Sequence, residues 1–492
     1  MKGKKKAIIL LPLVSTTIAI PFVSTSCIYP NKFLNVDVTD TNLFFSSNNW
    51  LLKDINGKKV MSTYPGGAYI KVAFVGSTIG LDVYCTSSFP KRITFACYID
   101  GNDTPIVKSL SQALGNILIF TDTLAENQVH TAKICIRTIK QENSTQNRFV
   151  WPDVIFVQNI CIQKDKSLID PKSEQSHYFV KDKNVLIYGD DYLEPQTVGS
   201  DLESNALLWE QYGYEYSLIG WTGAFVTRMN GNFHAPQFYN PNEPFSKQTF
   251  WNQYNLIDSR IDNDHKFLIK PDLIIVNLGM QDALNNVFPS EIVTTLTSWI
   301  ECMLSIYEDD TPPIMLQMPY FFDKPNYANY QQAYTDMYET LYSKDNLKLS
   351  LMDLSRGADI TIFYQSDDKI HPNVSGYKSL SQLMELALTP TTPLDFNVTS
   401  TTIGEINISC NTQKQKYQIT PIITHYEVTW KSKDSPIWGG WVSYDYDPVS
   451  ASFTGKISGL NSGTTYQVKM RSVNNLINAV STETEIKEVM VS

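Results

Sequence analysis

Four short blocks between residues 189 and 373 hold the side chains whose types and spacing could do chemistry. They are Gly189-Asp190-Asp191, Gly220-Trp221-Thr222-Gly223, Leu278-Gly279-Met280-Gln281-Asp282 and Asp368-Lys369-Ile370-His371-Pro372-Asn373. A carboxylate beside an imidazole either forms an ion pair or shares general-acid and general-base work with it. No obvious serine is placed to act as nucleophile in place of Asp191; Ser200, nine residues after it, reads as structural. Asp190 also suits a helix cap, because its carboxylate accepts orphan N–H groups, and Asp282 also reads as structural. His130, His177, His234, His265 and His425 have no spacing that suggests a site.

The blocks fall among elements able to converge them. Short apolar runs at 184–191, 214–221, 271–279, 312–319 and 347–354 read as strands covered on both faces. Amphipathic stretches such as EIVTTLTSWIECMLSIYE and YQQAYTDMYETLYSKD separate them. Strand–helix alternation of this kind predicts a doubly wound α/β domain over 182–389. Each block then lies after a strand or before a helix, and open α/β sheets bind ligands at the carboxyl ends of their strands.

In order and content the four blocks resemble those of SGNH (GDSL-type) hydrolases. That resemblance implies acyl transfer: a serine attacks an ester carbonyl, and a histidine takes its proton and later delivers it to the leaving alcohol. An aspartate three residues before the histidine orients it. The resemblance places Asp368 and His371 in the last two roles and Gly223 in the oxyanion hole. Two positions depart from the family. Gln281 replaces the oxyanion-hole asparagine, which carries its amide one methylene farther out. Asp191 stands where the family keeps its serine. A carboxylate there is a poor nucleophile toward an ester, opposes the oxyanion's charge and favours an Asp191–His371 ion pair. One chemical route stays open, in which Asp191 is base to an attacking water and His371 is the acid.

The flanking regions are all β. Residues 46–170 alternate with period two between turn signals, as in a β-sandwich or jelly roll. A jelly roll ahead of such an α/β domain resembles one group of carbohydrate acetylesterases, and Phe74-Val75-Gly76-Ser77-Thr78, Ile99-Asp100-Gly101 and Leu124…His130 share that resemblance. A Thr/Pro linker closes the α/β domain. Residues 393–492 then resemble a fibronectin type III module, with ITHYEVTW as its strand C and Tyr466 as its corner tyrosine. Cys410 stands where that module usually has a core tryptophan. Trp438, Trp441, Tyr444 and Tyr446 are candidates for a sugar platform or for packing. The aromatic and amide-rich segment 233–255 suits either sugar stacking or a packed loop.

Lys2, Lys4, Lys5 and Lys6 precede an apolar run at 7–22, and Ser24, Thr25 and Ser26 lead into Cys27. This order reads as a secretory signal over 1–27. It resembles a bacterial lipobox, with Ser24 where an apolar residue is usual. The implied anchor is diacylglycerol on Cys27 at the extracellular face of the cell membrane, followed by a tether over 28–45. Cys85, Cys97, Cys135, Cys161, Cys302 and Cys410 form no CxxC or CxH pattern, so neither a zinc site nor another cofactor is expected.

The chain of 492 residues suits about three domains at roughly 150 residues each. Its net charge of −10, with no cluster of Lys and Arg beyond the signal, argues against nucleic acid as a partner. Three readings follow. One is a surface esterase or deacetylase acting on acylated glycans or lipids. Another is a catalytically degenerate protein that binds glycans or host proteins. The third is a structural lipoprotein, which the retained Asp368/His371 pair disfavours.

Overall fold

The structure is a computed structural model. It describes residues 32–492 except 65, 87–89, 140–153, 191, 194–198, 200–201, 203, 229–234, 320–326, 343, 345–346, 355–371, 413–418, 449 and 451.

Strands β1 (Phe33–Asp37), β2 (Leu43–Phe45), β3 (Trp50–Ile55), β4 (Lys58–Thr63), β5 (Tyr69–Val75), β6 (Ile79–Cys85), β7 (Ile93–Ile99), β8 (Ile106–Ser109), β9 (Asn116–Thr121), β10 (Val129–Ile139), β11 (Ile155–Gln163) and β12 (Leu168–Ile169) build an N-terminal sandwich. One sheet runs β3-β4-β11-β6-β9 with β1 on β11; the other runs β12-β5-β10-β7-β8 with β2 on β5. Residues 33–45 therefore do not belong to a tether. They form β1 and β2, which pair with β11 and β5, and these short segments gain order from partners far along the chain. In β11 the register against β6 shifts between Val157 and Asn159. The bulge lets Ile155 and Val157 before it, and Ile160 and Ile162 after it, all reach the sandwich core.

The middle domain contains β13 (Lys183–Gly189), α1 (Ser204–Trp209), β14 (Tyr214–Gly220), β15 (Leu273–Asn277), α2 (Met280–Leu284), α3 (Pro289–Tyr307), β16 (Ile314–Gln317), α4 (Tyr327–Tyr342), β17 (Leu349–Met352) and α5 (Val374–Leu388). Its strands are parallel in the order β14-β13-β15-β16-β17, a doubly wound arrangement whose switch point lies between β13 and β15. The five predicted strands are all present, each within a few residues of its expected span. Helix α3 starts with Pro289 in its first turn and buries Ile292, Leu296, Trp299, Ile300 and Met303 along one face.

The C-terminal sandwich packs β18 (Leu394–Thr399), β19 (Glu405–Asn411) and β22 (Ser452–Ser458) against β20 (His425–Ser432), β21 (Val442–Asp445), β23 (Thr465–Asn474), β24 (Ala479–Val480) and β25 (Lys487–Met490). The Tyr466 hydroxyl accepts the Asn461 N–H at 3.2 Å, closing the corner before β23. Cys410 is buried in the core of this sandwich. No disulfide joins the described residues. Among them, no helix is long and apolar enough to cross a membrane.

Strand β5 is buried on both faces, and its outer face, with Cys135 of β10, packs on the α/β domain. Lys71 of β5 enters this seam and is fully buried. Its ammonium donates to Glu215 (2.8 Å) and to the Phe179 carbonyl (3.1 Å), and it pairs with Glu210 (2.6 Å). Lys133 of β10 also pairs with Glu210. Glu215 further accepts the Tyr69 hydroxyl at 2.6 Å and the Lys181 N–H at 2.7 Å. Burial opposes ionisation of Glu210, but Lys133 and Lys71 outweigh it and hold the carboxyl down at about 2.

Lys71→Met leaves two carboxylates short of their shared cation in a dry seam. It should cost about 3–5 kcal/mol, read by denaturant unfolding. Because the folded-state pKa of Glu210 lies below the ordinary 4.5, its stabilisation is present at neutral pH and is lost as pH falls from about 4.5 toward 2. Melting temperature in that window should fall less steeply in Glu210→Gln than in the wild type.

Candidate active site

The carboxyl ends of β13, β14 and β15 meet at the switch point, and three of the four blocks meet there with them. Gly189 ends β13 where Leu193 folds back over it. A Cβ at Gly189 would lie 2.5 Å from Leu193 Cγ, so the turn requires glycine. Asp190 is buried, and its Oδ1 accepts the Tyr192 N–H at 3.5 Å. Helix α1 begins at Ser204, fourteen residues on, and the Tyr192 contact places the Asp190 carboxylate at the turn after its own strand.

The loop after β14 is held at both ends. The Trp221 N–H donates to the Gly189 carbonyl at 3.3 Å, and the Ala224 N–H closes a turn onto the Trp221 carbonyl at 2.9 Å. Gly223 occupies the positive-φ position of that turn, at +78°. Farther along, Asp282 accepts the Val226 N–H (2.8 Å), the Thr227 N–H (3.2 Å) and the Thr227 hydroxyl (2.7 Å). Burial pushes the Asp282 carboxyl up despite these donors. Asp282 thereby ties the Gly223 loop to α2, which carries Gln281 in its first turn.

Tyr334 of α4 supports this junction from below. Its hydroxyl donates to the Leu278 carbonyl at 2.7 Å and lies 2.6 Å from where a Cβ on Gly279 would sit. Gly279 has φ +112°, so both its conformation and its neighbour exclude other residues. The fourth block reaches the site through its trailing end. The Asn373 side chain accepts the Gly376 N–H at 2.8 Å and caps α5, and Tyr377 one turn on donates to the Tyr192 carbonyl at 3.0 Å. Helix α5 is thereby pinned to the turn that follows β13.

The structure thus brings Gly189, Asp190, Gly223, Gln281 and Asp282 together. Asp191, Asp368, His371 and the lipidation candidate Cys27 lie outside the described residues, as do Ser200 and His234. The positioning roles of Asp282, Tyr334 and Tyr377 were not visible in the sequence. Only the place of Asp282 inside the third block hinted at its role.

Two suggested sugar platforms are occupied by the protein itself. Phe238, Phe250 and Trp251 of the aromatic segment are fully buried, and Phe238 packs on Tyr188 and Trp299. In the C-terminal sandwich Tyr446 is buried against Tyr426. The Trp438 ring lies under Lys469 (4.5 Å) and the Trp441 ring under Arg471 (4.2 Å). His130 is likewise fully engaged, with Nδ1 2.7 Å from Asp100 and Nε2 3.0 Å from the Ala125 carbonyl.

Asp282→Ala would strand the buried Val226 N–H, at about 1–3 kcal/mol, and release the half-buried Thr227 N–H. The variant should melt earlier, and its Val226 and Thr227 amides should exchange with solvent faster than the wild type's. Unchanged exchange at those two amides would show that Asp282 does not hold the loop.

No family model matches the chain, and no curated protein does. Solved structures do. A family two carbohydrate esterase from Cellvibrio japonicus aligns with a TM-score of 0.53 at 14% identity, over 72% of this chain and 98% of that one. A family two carbohydrate esterase from Clostridium thermocellum, in complex with cellohexaose, aligns with a TM-score of 0.53 at 14% identity, over 70% and 96%. An acetyl xylan esterase from the rumen bacterium Butyrivibrio proteoclasticus aligns with a TM-score of 0.52 at 10% identity, over 72% and 98%. At such identities the likeness is one of fold, and the fold is carbohydrate esterase-like.

Proposed function

We propose that this chain is a lipid-anchored protein of the extracellular membrane face whose jelly-roll and SGNH-type domains present a carbohydrate-ester cleft. A fibronectin type III-like module follows. In this reading Asp191 has turned the cleft from hydrolysis to binding. The observation that carries it is the extent of the fold likeness: nearly the whole length of several carbohydrate esterases aligns with this chain. Anchoring is supported by the basic residues, apolar run and small residues that lead into Cys27.

Asp191 in the serine position removes the acyl-enzyme route. Attack by its carboxylate would give a mixed anhydride, and its charge opposes the oxyanion that Gly223 and Gln281 would hold. A carboxylate at position 191 would also favour an ion pair with His371, and an imidazolium cannot accept a proton. What remains in this reading is a cleft that recognises an acylated sugar without cleaving it.

Restoring serine tests the reading. In Asp191→Ser, Oγ bonds to the acyl carbon as its proton passes to His371. The C–O bond to the alcohol then breaks, with the proton delivered to the leaving oxygen, and water releases the acid by the reverse relay. The full-length chain in detergent should leave aryl acetates intact. Asp191→Ser should gain a rate at least about 100-fold above background that disappears with His371→Ala. A wild type that already turns over and is silenced by His371→Ala would overturn the binding reading. Asp191 would then be base to the attacking water and His371 the acid.

A further inference from the structure

A cleft of about 1080 Å³ runs along the edge strand β17, from the amino ends of the parallel strands to Asp353 just past the end of β17. Lys183, Tyr214, Asp272 and Pro313, at or just before the starts of β13, β14, β15 and β16, line its floor. Helix α4 and edge strand β17 form one wall, and the C-terminal sandwich forms the other. We infer that this cleft is a binding site for a neutral oligosaccharide, shared between the α/β domain and the C-terminal sandwich and distinct from the loops at the switch point between β13 and β15.

The second wall is fixed in place. The Tyr214 hydroxyl donates to the Leu476 carbonyl, the Ile422 N–H to the Ala387 carbonyl and the Asn474 amide to the Leu388 carbonyl, each at 2.7 Å. Ile419, Ile422 and Ile477 belong to the same continuous core as the α/β domain. A module that served only as a spacer would not need this docking, whereas a shared site needs walls that hold their separation.

The lining chemistry selects the ligand class. Tyr338 and Tyr342, one turn apart on α4, are half-buried with ring centroids 5.8 Å apart and offer apolar surface to the C–H faces of sugar rings. The Tyr342 hydroxyl donates to the Tyr446 carbonyl across the cleft at 2.5 Å, which fixes that ring. Gln331 donates to Asp353 at the same wall and orients its carboxylate. Sugar hydroxyls pair well with such carboxylates and amides. Asp272, Glu339, Asp353 and Asp445 outnumber Lys183 and Lys348 in the lining, a balance that disfavours phosphate, nucleic acid and acidic glycans.

Titration calorimetry of the full-length chain in detergent against cellohexaose, xylohexaose and chitohexaose tests this inference. At least one should bind saturably. Tyr338→Ala, and independently the exposed pair Glu339→Ala and Asp445→Asn, should weaken that binding by about tenfold or more. His371→Ala at the carboxyl end should leave it unchanged. The exposed pair guards against a Tyr338 variant that fails to fold, and thermal melts confirm folding. The inference fails if none of the three sugars binds, or if binding is lost with His371→Ala but survives the cleft variants. It also fails if an extended peptide pairing with the open edge of β17 binds in place of the sugars. A silent esterase assay with intact oligosaccharide binding at this cleft separates the two proposals, since neither result depends on the other.

Discussion

The charge of Lys71 in the seam between the first two domains constrains much of the rest. Burying an ammonium costs several kcal/mol unless its protons are all used. Here the three protons have three acceptors, in Glu215, Glu210 and the Phe179 carbonyl. Glu215 is the second residue of β14 and also accepts the Lys181 N–H, two residues ahead of β13. The same cluster that joins the sandwich to the sheet thus fixes where the first two parallel strands start. Their length then decides where they end, and the switch-point loops emerge from those ends.

At those ends, positioning is done by buried polar groups rather than by the loops themselves. Asp282 gathers the Gly223 loop onto α2, Tyr334 holds the backbone before Gly279, and Tyr377 secures the turn after β13. Each bond is made in a dry environment, where leaving it unmade is costly. Such a scaffold keeps its shape whether or not the residue in the nucleophile position can react. A cleft of this kind can therefore lose its chemistry while keeping its recognition surface.

The C-terminal sandwich extends the same logic. It is not strung on its Thr/Pro linker but shares a core with the α/β domain through Ile419, Ile422 and Ile477. Its two half-exposed tryptophans are covered by Lys469 and Arg471. The cleft it encloses with α4 is a surface distinct from that aromatic patch.

Residue order alone determined the two β regions, the five parallel strands and the four blocks, because period-two alternation, short apolar runs and strand–helix alternation are local signals. It also displayed the aspartate at position 191. Tertiary structure decided what depends on partners distant in the chain. Lys71 looks like an ordinary polar position in a strand until Glu215, 144 residues away, makes its burial tolerable. Residues 33–45 look irregular until β11 and β5 supply their hydrogen bonds. The bulge in β11 that turns both halves of the strand inward, and the aromatic segment that fills the core against Trp299 rather than stacking a sugar, follow from packing. Composition cannot distinguish an aromatic ring that binds from one that fills, because both satisfy the same hydrophobic term and only the surrounding surface determines which is left open.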